Sequence, residues 1–446
     1  MPRRFFGGLH PDDHKAATNK KPIEILPPPD EVVLPMSMHI GAPCKVLVQK
    51  GDSVKMGQTI GEAASAISAP VHASVSGTVK AVEPRLHPNG SMVMSVVIEN
   101  DHLDTPAEEL KQYNSIDDIS PEEIINVVKA AGIVGLGGAT FPTHFKISSG
   151  IGKVDTIIIN GAECEPYITS DHRLMLEHTQ EILDGVRLLI KSFGLSRAYI
   201  AVEKNKPDAI EALQAALGGA ADITVLPLKT RYPQGAEKQL IQSVTGREVP
   251  SGGLPAAVGC AVFNIDTTAA VARAVYGGTP VIRRIVTVSG SAVTEPKNLN
   301  VRLGTPLSAV FEAAGGFKQE ARKILMGGPM MGVAQFDLGV PVIKSTNALL
   351  AFGEKESRVY QDPTCIRCGK CVGVCPIRLM PVKLNLYASK NMYSELEACG
   401  INDCIECGSC AYICPGRLPL VHTFRMAKQK LADHKKAEAA RKEAQK

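Results

Sequence analysis

The chain has 446 residues, 44% apolar and 21% charged, with no Trp and a formal net charge of +4. At roughly 150 residues per domain that is enough for about three domains with their own cores, which excludes a disordered or fibrous protein. No run approaches the roughly 20 apolar residues that span a bilayer, and the start MPRRFFGGLHPDD has a basic pair with no apolar core behind it, so a soluble, intracellular protein is expected. Residues 425–446 hold eight Lys/Arg against three Asp/Glu, which leaves the rest of the chain near neutrality. Such a tail is either a solvated helix or an attachment to an acidic partner or an anionic surface. Nucleic-acid binding is not expected, since neither interleaved aromatics nor a known module occurs.

Residues 1–35, rich in Pro, Lys and Asp (KKPIEILPPPDE), read as an extended N-terminal arm and not as a packed unit. In residues 36–102 short apolar runs are punctuated by Gly41, Gly51, Gly57, Gly61 and Gly77, the mark of an all-β module. Its phrases KGDSVKMGQTIGE and SAPVHASVSGTV resemble the lipoyl/biotinyl barrel-sandwich fold. Acyl carriers of that fold have a Lys at the tip; here the tip is Ala64-Ser65-Ala66-Ile67, so a structural role is expected.

From about Ser115 the pattern alternates. Pro121–Ala131, Asp171–Phe193 and Pro207–Leu217 read as helices, and KVDTIIIN, AYIAVE and DITVLP as strands. That alternation predicts a mostly parallel sheet covered by helices over residues 103–280, with ligands at the carboxyl ends of its strands. The loop Asn160-Gly161-Ala162-Glu163-Cys164-Glu165-Pro166 falls at such an end. Ahead of it, Gly135-Leu136-Gly137-Gly138-Ala139-Thr140-Phe141-Pro142-Thr143-His144-Phe145-Lys146 is neither a P-loop nor the dinucleotide fingerprint, because Thr140 stands where the third Gly belongs. It is a Gly-rich turn whose amides can approach phosphate, with Lys146 for charge, or else a plain loop. His144 reads as a hydrogen-bond donor of that loop, and no catalytic base is assigned.

Residues 281–352 contain IVTVSGSAV, a helix near Pro306–Ala314 and ILMGGPMMG, whose methionines read as core filling. Residues 353–420 hold the strongest signal. Cys365-x2-Cys368-x2-Cys371-x3-Cys375-Pro376 recurs as Cys404-x2-Cys407-x2-Cys410-x3-Cys414-Pro415. In such runs three thiolates grip one cubane and the fourth reaches the other cluster. Cys365, Cys368, Cys371 and Cys414 are therefore expected to hold one [4Fe-4S] cluster, and Cys404, Cys407, Cys410 and Cys375 a second. Zinc sites and disulfides do not require this doubled, Pro-flanked pattern. Cys399 reads as a bystander, and residues 421–446 as a basic helical tail.

The order GLGGATFPTHFK, NGAECEP, TRYPQGAEKQL, VFNIDT and then iron-sulfur cysteines resembles the FMN- and NADH-binding subunit of respiratory complex I. With a GGLHP start and a barrel-sandwich unit in front, the whole arrangement resembles the C subunits of the Rnf ion-translocating ferredoxin:NAD oxidoreductases. The resemblance implies a multidomain α/β protein: barrel-sandwich module, α/β flavin and nucleotide domain, soluble-ligand-binding β-grasp module, two-cluster ferredoxin-like domain and C-terminal helix. It further implies that Gly135, Gly137, Gly138 and Lys146 hold the FMN phosphate and ribityl chain, that Asn160 and Glu163 face the flavin, and that Tyr232, Gly235, Asn264 and Thr267 close its other side. By the same match Phe141 stacks on the nicotinamide and Glu165 lies near the nucleotide ribose. Ala236 stands where complex I has the first of two acids, which bears on the nucleotide contacts of that loop.

The implied cofactors are two [4Fe-4S] clusters, FMN and NAD(H). The electron counts agree with them, because NADH gives up a hydride, each cluster takes one electron, and a flavin exchanges both. The implied partners are other subunits of a membrane electron-transport complex, among them an iron-sulfur subunit that meets ferredoxin, with this chain peripheral on the cytoplasmic face. Two alternatives use the same parts: a flavin-dependent cobalamin reductase, and an electron-transfer scaffold without a nucleotide site.

Overall fold

In the computed structural model, which describes residues 4–108 and 110–444, the predicted alternation forms a parallel sheet. Its strands run in the order Ile223–Leu228, Ala198–Glu203, Thr156–Gly161, Cys260–Asn264. The first strand in sequence, Thr156–Gly161, is central; the chain builds outward on one side and returns to the other with Cys260–Asn264. The switch point therefore lies between the ends of those two strands, at Asn160 and Asn264, where ligands collect in open α/β sheets. Helix Pro121–Ala130 starts with a reciprocal cap between Ser120 and Glu123 behind Pro121. The expected single helix over 171–193 is two, Ser170–Glu177 and Thr179–Phe193, parted at His178. There the Thr179 hydroxyl donates to the Met175 carbonyl (2.6 Å), taking an acceptor at the end of the first helix.

The barrel-sandwich module is a four-stranded sheet, Glu31–Pro35, Met92–Asn100, Gly77–Leu86 and Ser53–Val54, facing a three-stranded one, Lys45–Val46, Thr59–Glu62 and Val71–His72. The β-grasp module is a mixed six-stranded sheet with Arg283–Ser289 and Ala348–Phe352 in its middle. The eight motif cysteines follow in loops and short helices, Cys371 in helix Lys370–Val374 and Cys410 in helix Ser409–Tyr412.

The arm corrects one expectation: it is extended, but it is packed. Strand Ile23–Ile25 pairs in parallel with Lys297–Arg302 of the β-grasp sheet, and Glu31–Pro35 completes the barrel-sandwich sheet. Leu9 exchanges two backbone hydrogen bonds with Tyr232, and the Gly8 amide donates to the Val374 carbonyl at 2.8 Å. Lys15 is buried. Pro-rich composition reports a lack of helix, not a lack of partners. Residues 1–3 of the arm and 445–446 of the tail lie outside the described residues.

The tail divides as well. Helix Leu420–Ala444 buries Leu420, Phe424, Ala427 and Leu431 against Leu384, Leu396 and Ile401, so its first three turns belong to the core of the cluster domain. Residues 432–443 are exposed, and among the described residues no helix is long and apolar enough to cross a membrane.

Where the modules meet, polar groups are buried. The Arg284 guanidinium, on a β-grasp strand, pairs with Asp266 at 2.5 Å, donates to the Leu136 carbonyl of the Gly-rich loop at 2.8 Å and to the Thr346 carbonyl at 3.1 Å. Arg273 takes the other Asp266 oxygen at 2.7 Å. Arg284→Ala leaves a buried carboxylate short of its partner and is expected to cost about 3–5 kcal/mol in chemical denaturation. Arg284→Met combined with Asp266→Leu removes both charges and should cost clearly less than the single change.

Candidate functional site

The Gly-rich loop is closed by its own backbone, since the Gly135 amide donates to the Phe141 carbonyl at 2.9 Å and the Thr140 amide to the Gly135 carbonyl at 3.0 Å. It then opens helix Thr143–Gly150. A Cβ on Gly137 would meet the Asn264 side chain at 3.2 Å, whereas one on Gly138 would meet nothing within 4 Å, so the loop rests on the switch point with its far side open. Asn264 caps helix Ile265–Gly277 through its carbonyl and donates to Asp171 at 2.6 Å. Across the sheet end, Asn160 donates to the Gly235 carbonyl at 2.8 Å and accepts from the Ala162 amide at 3.1 Å. Gly235 must be glycine, because a Cβ there would stand 2.3 Å from the Ala162 carbonyl. The structure thus brings Gly135, Gly137, Gly138, Asn160, Glu163, Gly235 and Asn264 around one polar sheet end. Phe141 is half-buried beside them, edge-on to Phe145.

Glu163 is buried, one oxygen accepting from the Asp171 amide at 2.8 Å and the other, Oε2, without a hydrogen-bond partner. Its nearest cation is Lys15 of the arm at 3.6 Å, whose ammonium also donates to the Glu163 carbonyl at 2.7 Å. Burial and the neighbouring Glu163 and Asp266 hold the Asp171 carboxyl above the usual range. An orphaned carboxylate oxygen, an open Gly138 and a switch-point location fit a polar ring system seated at this sheet end, and FMN meets those demands. Cys164 donates little to such chemistry, since burial keeps its thiol protonated.

Four expected residues sit differently. Lys146 is engaged by Glu237 Oε1 at 3.0 Å and the Val262 carbonyl at 2.9 Å, so a phosphate must compete for it. Thr267 is fully used within the protein, accepting from the Leu136 amide at 2.8 Å and donating to the Val134 carbonyl at 3.3 Å; it anchors the Gly-rich loop and does not close a flavin face. Tyr232 points towards the cysteines, its hydroxyl 2.6 Å from the Cys407 carbonyl and 3.2 Å from Glu165 Oε1. Glu165 is engaged on both oxygens, the second accepting from the Met330 amide at 3.1 Å, so a ribose would share it with these partners. Sequence order places these residues near the site but cannot say which side of the loop they serve.

Burial pushes the Glu165 carboxyl up to about 7. The Tyr232 hydroxyl has one proton and two acceptors within reach, the Cys407 carbonyl and Glu165 Oε1.

The cysteines surround two cavities. One is lined by Cys375, Cys404, Cys407 and Cys410, the other by Cys365, Cys368, Cys371 and Cys414. These are the crossed sets expected from the spacing. Four sulfurs around a void fit a cubane with its own sulfides in the middle; among the described residues no three His, Cys, Asp or Glu gather as ligands of one ion. The two halves share backbone geometry, with Arg367 and Glu406 at φ 55° and 56° and Arg378 and Arg417 at 59° and 53°, positive values rare outside glycine. They differ in cover. Cys375 and Cys407 are buried, Cys365 and Cys368 exposed. Glu406 is held by Arg425 at 2.9 Å and Lys428 at 2.7 Å, from the first part of the C-terminal helix.

Other residues were invisible in sequence: Lys15, Asp171, Arg284, and Gln239, whose amide donates to the Pro376 carbonyl at 3.4 Å. The barrel-sandwich module also reaches the loop, the Ile40 amide donating to the Thr140 carbonyl at 3.2 Å and His144 meeting the Ala66 backbone.

Family models match four parts of the chain: the RnfC barrel sandwich hybrid domain over residues 3–103, the Nuo51 FMN-binding domain over 128–273, the SLBB domain over 285–334 and the 4Fe-4S dicluster domain over 358–415. The C subunit of the Na(+)-translocating ferredoxin:NAD(+) oxidoreductase complex of Acetobacterium woodii is 48% identical, over 96% of this chain and 97% of that protein. Its counterpart in the proton-translocating complex of Clostridium ljungdahlii is 45% identical, covering 89% and 86%, and the C subunit of the ion-translocating oxidoreductase complex of Rhodobacter capsulatus is 44% identical, covering 96% and 83%. An NAD+-reducing [NiFe]-hydrogenase chain in the H2-reduced state superposes with a TM-score of 0.50 at 20% identity, over 70% of this chain and 63% of that one, which is a likeness of fold.

Two outcomes follow from the geometry. Cys414→Ser should alter the EPR signal of the cluster held by Cys365, Cys368 and Cys371 and spare that of Cys404, Cys407 and Cys410. An uncrossed assignment predicts the reverse. Glu165→Gln removes a group whose folded pKa is raised, so its native-state stabilisation is present at low pH and lost as pH rises towards 7. The stability of the variant relative to the parent should therefore increase from about pH 5 to 7 and then level off, as read by denaturant unfolding.

Proposed function

Because the chain belongs to the family of C subunits of ion-translocating ferredoxin:NAD(+) oxidoreductase complexes, we propose that it passes electrons between NAD(H), FMN and two [4Fe-4S] clusters, docked peripherally on the cytoplasmic face of the membrane subunits. The observation that carries this reading is the connection between its two sites: Tyr232, on the loop facing the switch point, donates to the backbone of Cys407, which lines the first cavity.

Bound FMN supplies a centre that exchanges a hydride with nicotinamide and single electrons with a cluster. The residues here do the binding and positioning. Backbone amides of Gly135–Gly138 and the Lys146 ammonium would hold the phosphate and ribityl chain, with Lys146 exchanging its Glu237 contact for the phosphate. Asn160 and Asn264 would present amide groups to the ring, each already fixed by a second hydrogen bond. Glu163 Oε2 would face it as an acceptor, steadied by Lys15. Phe141, at the open side of the loop, would cover the nicotinamide. The barrel-sandwich module, touching Thr140 and His144, would keep water from the loop. Each cluster would sit among its four cysteines, and no acid or base is required for hydride transfer.

Anaerobically prepared holoprotein tests the reading. It should bind about eight irons and eight acid-labile sulfides together with non-covalent FMN. NADH should bleach the flavin absorbance and bring up cluster EPR signals. Flavin without NADH-dependent bleaching would support a scaffold instead, and a preference for a cob(III)alamin acceptor over iron-sulfur acceptors would support a cobalamin reductase.

A further inference from the structure

The loop that follows the central strand, residues 160–168, is met from one side by the N-terminal arm, and the arm brings a buried cation with it. The arm is fixed there at several points. The Tyr167 amide donates to the Asp13 carbonyl at 2.7 Å, the His14 and Tyr167 rings stack at 4.6 Å, and the Thr169 hydroxyl donates to that of Thr18 at 2.8 Å. The short turn Lys15–Ala17 between these contacts carries the Lys15 ammonium, which is 4% exposed and donates to the Glu163 carbonyl at 2.7 Å and to that of Ile168. A second buried cation, Lys206, also donates to the Glu163 carbonyl, at 3.4 Å. It is already matched, since Glu203 faces it at 3.3 Å and both are fully buried. Glu163 Oε2 has no hydrogen-bond partner, and its ion pair among the described residues is with Lys15, at 3.6 Å. Asp171, the other carboxyl at this sheet end, is hydrogen-bonded to Asn264 at 2.6 Å. Lys15 is thus the cation that offsets Glu163 where the sheet ends.

We propose that Lys15 is a positioning residue of the flavin site that acts through Glu163, and that the charge it brings raises the reduction potential of the bound flavin. Hydride transfer from NADH yields NAD+ and leaves one more negative charge on the flavin ring. An uncompensated Glu163 carboxylate opposes that change, and a cation behind it offsets the opposition. In a site withdrawn from water such charges act far more strongly than at a surface. Because the cation belongs to the arm, whose Gly8 and Leu9 are bonded to Val374 and Tyr232, the flavin site is electrostatically complete only with the arm seated. The inference rests on the reading that FMN occupies this sheet end.

The test uses the full chain, prepared anaerobically with its FMN, and reads the two-electron midpoint potential of the flavin by spectroelectrochemistry together with FMN content. Lys15→Met, similar in length and neutral, should lower the potential by about 30 mV or more, which is a tenfold shift of a two-electron equilibrium. Lys15→Arg keeps the charge and should recover most of that shift. Glu163→Gln should raise the potential, and Lys15→Met combined with Glu163→Gln should return close to the parent, because both members of the pair are gone. Lys21→Met, at an exposed position of the same arm, should change nothing. A parent-like potential in Lys15→Met, or a double variant as low as Lys15→Met, would overturn the proposal, since a purely structural lysine predicts either. If Lys15→Met fails to retain FMN, the double variant decides: retention regained supports the pairing, and retention still lost overturns it. A parent chain that binds no FMN would refute the flavin reading and this inference with it, whereas a flavin-loaded parent with unshifted variants refutes the inference alone.

Discussion

The buried Arg284 guanidinium is the point on which the arrangement of modules depends. It draws a carboxylate from the helix that follows the switch point, a carbonyl from the Gly-rich loop and a carbonyl from the β-grasp module onto one plane of donors. A guanidinium suits this place because its fork reaches several acceptors at fixed angles, which an ammonium cannot do. Desolvating the pair offsets much of its Coulomb energy, so its contribution lies less in stability than in specifying one packing among several. Thr267 adds a neutral clamp on the same loop, through the Leu136 amide and the Val134 carbonyl. The switch point is thereby held from behind, and its open side is left for chemistry.

A second junction lies at the opposite edge of the sheet. Glu165, Tyr232, Met330 and Cys407 come from three modules and meet through the Tyr232 hydroxyl and the Met330 amide. The contact ties the FMN-binding domain to the wall of one cysteine-lined cavity through buried hydrogen bonds.

The two cysteine sets that line the cavities were legible in sequence because a cubane motif draws three of its four cysteines from one short loop, which spacing records. The parallel sheet was legible because strands buried on both faces and amphipathic helices alternate. What stayed hidden depends on residues far apart in sequence. Thr267 and Tyr232 occur in the expected order, but whether a side chain faces the ligand or supports the loop is decided by partners such as Leu136 and Cys407. Lys15 and Gly7–Leu9 sit in a segment whose composition predicts no secondary structure, and nothing local marks them as buried. The tail reads as uniformly basic, yet Phe424, Ala427 and Leu431 at helical spacing place its first turns in the core.

The path of the N-terminal arm has a consequence for how the molecule is held together. Gly8 and Leu9 bond to Val374 and Tyr232, so the arm closes contacts between residues very far apart in sequence. Contacts of such long sequence separation are costly in loop entropy and depend on the modules between them being in place. Its final seat is built from the helix that begins at Lys370 and ends beside Cys375, which lines one of the two cysteine cavities. The seating of the arm therefore bears on the wall of that cavity, and the two are structurally coupled through Val374.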